Sequence, residues 1–467
     1  MSEFRFLING EMRTSDRTMT VINPATGAAF VEVPRAGPKD VDAAVAAASK
    51  AFPNWAATDV SQRRKVLLAM AAAVEARADE LAKVLTQEQG KPLQFAQIEI
   101  SDMVGFLRFY AECPMPGETI EDSEVRVVRA VRRPLGVVAA IVPWNFPLAL
   151  MASKVAPALL MGNTVVVKPA GTTPAATLLF GEIVREHVPA GVLNIIADAN
   201  DLGAALTGHS DVRKVSFTGS TATGRQVMAS AADGLKRVTL ELGGNDAAIV
   251  LDDVDPAQVA EGLFMGAFFN SGQVCIAIKR LYVQRGVYDE LCDALSAIAD
   301  NIPVGNGMDE GIVLGPVQNR AQYEKVKDLI ASGASDGKLI AGSDQPDGDG
   351  YFIRPTIIRD IASGTRLVDE EQFGPVLPVI VFDDVEDAIA QANASVFGLG
   401  GSIWSADIAR ARSVAEQIEA GAVWINKHMD VAPNIPFAGA KSSGVGVEWG
   451  ETALAEYGQY TIINEPA

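Results

Sequence analysis

The stretch GVVAAIVPWNFPLALMASKVAPALLMGNTVVVK, residues 136–168, predicts the fold. It contains a short apolar strand pattern, GVVAAIV, then an apolar run at helical spacing, and then a β-branched strand pattern, TVVVK. The same alternation continues through VLNII and KVSF to RVTLEL at 237–242. Strands that alternate with helices are typical of βαβ units on a parallel sheet, so the sequence predicts an α/β protein.

Further elements flank this stretch on both sides. Residues 38–111 are rich in alanine at helical spacing and predict packing helices without a chemical role. A second α/β stretch covers roughly 245–440, and its Gly- and Asp-rich segment 343–351 predicts a surface loop. The runs EVRVVRAVRRP at 124–134 and EYGQYTIIN at 456–464 predict exposed strands, whose free edges invite pairing with another chain.

Charge and cysteine content restrict the classes of function. The 467 residues include 39 Lys and Arg against 58 Asp and Glu, a net charge of −19 that would repel nucleic acid and anionic lipid. The three cysteines show no CxxC spacing, which predicts a reducing, cytoplasmic compartment and neither a disulfide framework nor a metal site. The chain starts without a secretory pattern, and its most apolar stretch, 135–161, is interrupted by polar residues and prolines. No nucleic-acid partner, membrane partner or metal is expected.

Three polar residues in apolar surroundings predict chemistry on a carbonyl group. Cys275 closes the run FFNSGQVC, Glu241 lies in TLELGGN, and Asn145 lies in PWNFP. A lone cysteine between Val274 and Ile276 is more often a small packed hydrophobe, and a glutamate at a strand end is more often a surface charge. Together, however, a thiol, a carboxylate and an amide can supply a nucleophile, a base and an oxyanion donor.

Five motifs, in order along the chain, carry a resemblance to a known family. They are PWNFP at 143–147, FTGS at 217–220, ELGGN at 241–245, the run ending in Cys275, and EEQFGP at 370–375. Together they resemble the NAD(P)-dependent aldehyde dehydrogenase superfamily. The resemblance extends from LING at 7–10 to SSGVGVEWG at 442–450, nearly the whole chain.

The resemblance implies three structural parts. A Rossmann-like dinucleotide-binding domain would comprise residues 1–117 and 135–243, and an α/β catalytic domain would comprise residues 244–440. Residues 118–134 and 441–467 would form a small β oligomerisation element. Because members of the family are dimers or tetramers, the resemblance implies a homodimer or homotetramer.

The implied cofactor is NAD or NADP. The run KVSFTGSTATG is neither a Walker loop nor GxGxxG, but its strand, tight turn and helix start suit a pyrophosphate, although such a turn also caps ordinary helices. The residues that the resemblance assigns to the cofactor are Trp144, Lys168, Gly171, Gly219, Ser220, Gly224, Glu371 and Phe373. Many NAD-preferring relatives carry a glutamate at the position of Gly171. NADP is therefore expected to be tolerated or preferred, and Gly171→Glu is expected to shift use toward NAD.

The predicted reaction is oxidation of an aldehyde to the free carboxylic acid. Cys275 would attack the aldehyde, and the amide of Asn145 and the backbone N–H of Cys275 would stabilise the oxyanion. Glu241 would then activate the water that hydrolyses the thioester, because burial at a strand end raises a carboxyl pKa toward neutrality. Relatives that pass the acyl group to coenzyme A generally lack this base, so its presence favours release of a free acid.

The predicted substrate is an aliphatic or aromatic, mainly apolar aldehyde. The residues expected along its entry path are Phe146, Leu150, Phe269, Ile276, His428 and Phe437, with Asp430 in the same variable loop as His428. Each is equally compatible with core packing. The nearest cations to Cys275 are Lys279 and Lys427, which makes a semialdehyde acid the less favoured substrate. Two competing hypotheses are a non-redox thioester or ester hydrolase on the same site and a non-catalytic structural protein.

Overall fold

Helices and strands alternate along most of the chain. The computed structural model describes residues 4–344, 346 and 348–467. The strands are β1 (Phe6–Ile8), β2 (Glu11–Arg13), β3 (Thr18–Asn23), β4 (Ala28–Pro34), β5 (Gly117–Asp122), β6 (Arg126–Pro134), β7 (Val137–Ile141), β8 (Thr164–Lys168), β9 (Leu193–Ile195), β10 (Val212–Thr218), β11 (Arg237–Glu241), β12 (Asp246–Val250), β13 (Ile278–Gln284), β14 (Lys338–Ala341), β15 (Thr356–Arg359), β16 (Val376–Phe382), β17 (Phe397–Gly398), β18 (Gly400–Trp404), β19 (Ala422–Ile425), β20 (Ala440–Lys441), β21 (Gly444–Val445) and β22 (Gly458–Pro466). The helices are α1 (Pro38–Ala57), α2 (Val60–Ala76), α3 (Ala78–Gln89), α4 (Leu93–Glu112), α5 (Pro147–Met161), α6 (Ala175–Val184), α7 (Gly203–Gly208), α8 (Thr221–Ala232), α9 (Pro256–Phe268), α10 (Tyr288–Asn301), α11 (Arg320–Asp336), α12 (Arg366–Asp369), α13 (Val385–Asn393), α14 (Ile408–Ala415) and α15 (Gly450–Glu456). A single-turn 3-10 helix lies at Arg285–Val287, and a tight turn with non-helical dihedrals lies at Phe269–Gly272.

The stretch 136–168 forms the centre of an eight-stranded sheet, and the predicted βαβ alternation is confirmed. The strand order is β2-β1-β9-β8-β7-β10-β11-β21, and the strands from β9 to β11 are parallel. β7 and β8 are buried along their whole length, which is typical of parallel strands covered by helices. Between them, α5 begins at Pro147, whose φ suits the first helical position, and ends before Gly162 at φ 100°. The strand order reverses between β7 and β10, and ligands of open α/β sheets bind outside such a reversal.

A second parallel sheet follows, as the sequence predicts. Its order is β14-β15-β16-β13-β12-β18-β19, with only β14 antiparallel to its neighbour. Side chains that alternate along β13 enter different apolar clusters: Leu281 packs in one with Phe264 of α9, and Tyr282 in the other with Leu329 of α11. Cys275 lies three residues before β13 and therefore at the edge of this sheet.

The two runs predicted as exposed strands pair with each other. They form β22 and β6 of an antiparallel sheet with the order β22-β6-β5, so both runs are strands as predicted. However, β6 is paired on both edges, and of the two only β22 keeps a free edge in the described chain. Ile120, Tyr460 and Ile462 expose 56%, 52% and 55% of their surface there. The predicted element at 441–467 is longer than this sheet requires, because β21 pairs with β11 of the first sheet and α15 packs against α5. Only β22 of that segment belongs to the three-stranded sheet.

The alanine-rich region and the described residues of the predicted surface loop lie outside the sheets. The alanine-rich region 38–111 forms α1 to α4, and these helices pack on the first sheet, on α5 and on α6. The predicted surface loop 343–351 lies between β14 and β15, and two of its residues, 345 and 347, lie outside the described residues. Within residues 4–344, 346 and 348–467, no helix is both long and apolar enough to cross a membrane.

Candidate active site

A cavity of about 490 Å³ opens at the edge of the first sheet, where the strand order reverses. We call it the first cavity. Six of the eight residues predicted for the cofactor line it: Trp144, Lys168, Gly219, Ser220, Glu371 and Phe373. Asn145 and Cys275 also belong to its wall, whereas Gly171 and Gly224 do not. The structure thus brings the predicted cofactor residues together with the predicted nucleophile.

The N-terminus of α8 faces the first cavity. The Ser220 side chain caps this helix and accepts a hydrogen bond from the Thr223 N–H at 3.2 Å. The other N–H groups of the first turn have no partner within the helix, so this end attracts an anion such as a phosphate. Gly224 has a packing role instead: a Cβ there would lie 2.4 Å from Leu242 Cδ2. Gly224 does not line the first cavity, and its cofactor role stays a prediction.

The Lys168 side chain, at the end of β8, is already paired. Its Nζ donates to Asp198 Oδ1 at 2.6 Å, and both side chains are buried. The contact with Asp198, which follows β9, was not predicted from the sequence. A carboxylate in a short loop 30 residues away carries no local signal of this contact.

Gly171 lies behind the wall of the first cavity. Its N–H donates to Asn200 Oδ1 at 2.9 Å, and Asn200 lines the cavity in its place. A Cβ at residue 171 would lie 2.6 Å from the backbone oxygen of Asp198. The Gly171→Glu outcome stays a prediction, and a side chain at residue 171 would require the Asp198 backbone to shift.

Glu371 and Phe373 are held against the same cavity by the chain around them. The Gly244 N–H donates to Glu371 Oε1 at 2.9 Å. The Phe373 ring packs edge-on against Trp144, with 5.3 Å between ring centroids. Lys325, on α11, donates to the backbone oxygen of Glu371 at 2.7 Å and lines the cavity as well. The sequence pattern of α11 contains nothing that sets Lys325 apart from other surface lysines.

A tight loop carries Cys275. Asn270, Ser271 and Gly272 have φ values of 51°, 56° and 70°, three successive left-handed conformations. Gly272 is required there, because a Cβ would lie 2.3 Å from the Gly374 oxygen. The Ser271 hydroxyl donates to the Gly315 oxygen at 2.7 Å, which anchors the turn. The chain reverses sharply here, and Cys275 lines the first cavity while it also packs against the core.

Asn145 is fixed to this loop. Its Nδ2 donates to the backbone oxygen of Gln273 at 3.0 Å, and its own backbone oxygen accepts from Lys91 Nζ at 2.8 Å. Lys91 forms a buried ion pair with Glu99 at 2.5 Å, and Glu99 Oε1 accepts from the Leu148 N–H at 2.8 Å. The region predicted to form packing helices without a chemical role thus positions the Asn145 loop through structural contacts.

Glu241 is a buried carboxylate without a hydrogen-bond partner in the described part of the chain. Burial and the neighbouring charge of Glu448 raise its pKa well above the usual range, and Lys154 opposes the shift. Lys154 forms a buried ion pair with Glu448 and donates to Thr218 Oγ1 at 2.7 Å. This pair was not predicted from the sequence. Its signal is Lys154 itself, a single charge inside the apolar helix α5.

The Cys275 thiol is half-buried in the structure. Burial raises its pKa to about 12, nearby carboxylates add to the shift, and Lys279 opposes it. Lys279 Nζ donates to the backbone oxygen of Cys275 at 2.6 Å. At neutral pH the resting sulfur is therefore a neutral thiol, and its proton must leave when the sulfur attacks a carbonyl.

A second cavity, of about 410 Å³, adjoins the first. All six residues predicted for the substrate line it: Phe146, Leu150, Phe269, Ile276, His428 and Phe437. Phe106, Trp449 and Met429 extend its apolar wall, and its charged residues are Asp102, Glu241 and Glu448. Cys275, Leu150 and Thr218 line both cavities, which therefore meet at the sulfur.

His428 and Asp430, from one variable loop, have different positions. The His428 ring is buried, with Nε2 at 2.6 Å from the Ile276 oxygen and Nδ1 at 2.9 Å from Ser402 Oγ. Burial lowers the pKa of His428 to about 3, so the ring is neutral and braces the residue after Cys275. The exposed Asp430 carboxylate pairs with Lys427 and lies outside the cavity wall.

Comparisons with known proteins agree with this geometry. The chain matches the aldehyde dehydrogenase family over residues 12–463. It is 41% identical over 471 residues to a phenylacetaldehyde dehydrogenase of Pseudomonas fluorescens, with 97% of this chain and 94% of that protein covered. It is 39% identical over 460 residues to the NADP(+) succinate-semialdehyde dehydrogenase of Escherichia coli K12, with 97% and 95% covered. An NAD+ complex of an aldehyde dehydrogenase from Bacillus cereus superimposes with a TM-score of 0.97 at 37% identity, covering 100% of this chain and 97% of that one.

The chain therefore belongs to the aldehyde dehydrogenase family. It is an oxidoreductase that oxidises an aldehyde to an acid, and its cofactor is NAD or NADP. The resemblance carried by the five motifs is confirmed, and the comparisons do not favour a non-redox hydrolase or a structural protein.

Proposed function

We propose that this enzyme oxidises uncharged aldehydes with an aromatic or aliphatic body to the free acid, through a thiohemiacetal and then a thioester on Cys275. One observation supports the proposal above the others: Cys275 lines both cavities. An aldehyde in the second cavity and a dinucleotide in the first would meet at this sulfur. A single thiol between two cavities of a few hundred Å³ suits a reaction between two bound molecules.

The proposed mechanism uses three side chains. Glu241, whose buried carboxylate is unpartnered among the described residues, would activate the water that hydrolyses the thioester. The Asn145 amide retains one free N–H beside its bond to Gln273, and with the Cys275 backbone N–H it would stabilise the oxyanion.

The first cavity suits a dinucleotide by its donors and its shape. The α8 N-terminus would bind the pyrophosphate, Lys168 the adenosine ribose, and Glu371 the nicotinamide ribose. Trp144 and Phe373 would border the nicotinamide. The bound nicotinamide supplies the hydride acceptor.

The wall of the second cavity supports an uncharged substrate. Four phenylalanines and Trp449 line it, and none of its described residues is a lysine or arginine. A carboxylate on the substrate would meet Asp102 and Glu448 without a cation to pair with. Phenylacetaldehyde, the substrate in the name of one relative, is uncharged and suits this wall. Succinate semialdehyde, the substrate in the name of another relative, carries a carboxylate and does not suit it.

Steady-state kinetics with a small aldehyde panel would test the proposal. We expect kcat/KM for phenylacetaldehyde and hexanal to exceed that for succinate semialdehyde by more than about tenfold, since an unpaired carboxylate in an apolar site costs more than about 1.4 kcal/mol. Cys275→Ala should abolish turnover and any esterase activity, whereas Cys292→Ala, which removes a buried thiol of α10, should keep both. Turnover by Cys275→Ala near the parent rate, or a preference for the semialdehyde, would overturn the proposal.

We also propose that the enzyme is a homodimer or homotetramer that assembles through the β22-β6-β5 sheet. The two outer strands, β22 and β5, have unpaired edges in the described chain, and exposed Ile120, Tyr460 and Ile462 lie on them. The division of the chain into three domains stays a prediction. The reducing, cytoplasmic compartment also stays a prediction, and the three free cysteines support it.

A further inference from the structure

The part of the first cavity formed after β8 and β9 contains a buried ion pair. Lys168 Nζ lies 2.6 Å from Asp198 Oδ1, with 5% of the lysine side chain and 0% of the aspartate side chain exposed. The other carboxylate oxygen, Oδ2, accepts from the Leu202 N–H at 2.6 Å. Asp198 is thus held from two sides, and its charge is directed at the lysine.

The pair leaves this part of the cavity without a free cation. Among the described residues of the wall, the only lysines and arginines are Lys168 and Lys325. Lys325 donates to the Glu371 backbone at 2.7 Å, beside Phe373 and therefore in another part of the wall. The nearby Arg35 forms a separate exposed pair with Asp201 at 2.6 Å.

We propose that Asp198 sets the cofactor preference of this enzyme toward NAD over NADP by neutralising Lys168. The two cofactors differ only in the 2′-phosphate of the adenosine ribose. A free lysine would attract that dianion, whereas a lysine already paired with a buried carboxylate presents no net charge and places a negative group a few ångströms behind it. The uncharged ribose hydroxyls of NAD are neither attracted by a free lysine charge nor repelled by the carboxylate.

This inference rests on the proposed assignment of the first cavity to the dinucleotide, and it opposes the expectation drawn from Gly171. Unlike many NAD-preferring relatives, this chain has no glutamate at residue 171 and so no carboxylate there. Asp198, in the neighbouring loop, supplies a carboxylate near the proposed ribose site instead. Gly171 itself permits this arrangement, because a Cβ there would lie 2.6 Å from the Asp198 backbone oxygen.

Binding of NADH and NADPH to the full-length enzyme without aldehyde, measured by fluorescence titration, tests the proposal. The parent should bind NADH at least about tenfold more tightly than NADPH, and Asp198→Asn should narrow that ratio by at least about tenfold through tighter NADPH binding. The asparagine oxygen still accepts from Leu202, so the loop is retained. The gain for NADPH should weaken as salt is raised.

Asp201→Asn is the matched control, since it removes an exposed carboxylate three residues away that pairs with Arg35 and not with Lys168. Both dissociation constants should stay within about twofold of the parent values. If Asp198→Asn melts well below the parent enzyme, Asp198→Ser replaces it in the titrations. Serine is also neutral and can accept a hydrogen bond from the Leu202 N–H.

Equal affinity of the parent for the two cofactors would overturn the inference, as would an equal change of both affinities in the neutral variants. If the parent binds neither dinucleotide, the assignment of the first cavity falls as well. Tight NADH binding without a change of selectivity overturns only the role of Asp198.

Discussion

The side-chain amide of Asn145 donates to the backbone oxygen of Gln273 at 3.0 Å, two residues before Cys275. This bond joins the loop after β7 of the first sheet to the loop before β13 of the second. It holds the proposed oxyanion donor at the turn that carries the proposed nucleophile. A group that is already oriented loses little freedom when charge develops on the substrate.

Asn145→Ala should lower kcat by about 10²–10³ while the affinity for the dinucleotide stays near the parent value, because the amide acts on the developing oxyanion. Stopped-flow measurement of the first turnover would show the loss in the initial formation of reduced cofactor. Asn270→Gly is the control: Asn270 Nδ2 also contacts the Gln273 oxygen, at 3.4 Å, and glycine keeps the left-handed φ. An equal loss in both variants would assign the effect to loop structure.

Glu241→Gln should form the acyl-enzyme but hydrolyse it slowly, since hydride transfer requires no base at that position and hydrolysis does. We expect a burst of reduced cofactor followed by a slow steady state. The burst amplitude is an internal control for folding and binding. If the burst itself disappears, Glu241 acts at the attack of Cys275, and a step before hydride transfer has been removed.

Glu448→Gln should move the acidic limb of the kcat profile to lower pH. The negative charge of Glu448 raises the pKa of Glu241, so its removal, with Lys154 still present, lowers that pKa. Glu241 works as a base only above its pKa, and activity is lost as pH falls through it. A profile of kcat from pH 5 to 9 measures the shift. Glu451→Gln, an exposed charge on the next turn, should leave the profile in place.

Glu99→Gln should reduce the free energy of unfolding by about 3–5 kcal/mol, because it leaves the buried Lys91 without a counter-charge. Urea unfolding at pH 7 measures this loss. The exposed pair of Arg108 and Glu75, at 2.6 Å, offers the control: Glu75→Gln should cost less than about 1 kcal/mol. A similarly small loss for Glu99→Gln would mean that Lys91, whose pKa is lowered by burial, is neutral in the folded enzyme.

Ile462→Glu should shift the enzyme toward smaller species in light scattering after size exclusion, because it places a charge on the exposed face of β22. Val396→Glu makes the same change at a 64% exposed position outside the three-stranded sheet, and it should leave the mass unchanged. If Ile462→Glu keeps the parent mass, the contact between subunits lies elsewhere.

The sequence alone determined the α/β fold and the family of this enzyme. Apolar runs of strand length that alternate with helical runs predict βαβ units, and 136–168 indeed forms β7, α5 and β8. These patterns are local, since the apolar run of a strand and the periodicity of a helix involve residues close together in the chain. Cys275, Glu241 and Asn145 also stand out by composition, as polar residues at the ends of apolar runs.

The tertiary structure alone decided which charges face each other. Lys154 meets Glu448 across 294 residues, Lys168 meets Asp198 across 30, and Glu99 reaches the first turn of α5 from another helix. The hydrophobic periodicity of the sequence does not predict such pairs, because each pair depends on how two separately formed elements pack. Gly171 shows the consequence: its sequence position suggests open space beside a ribose, whereas in the fold the Asp198 backbone fills that space.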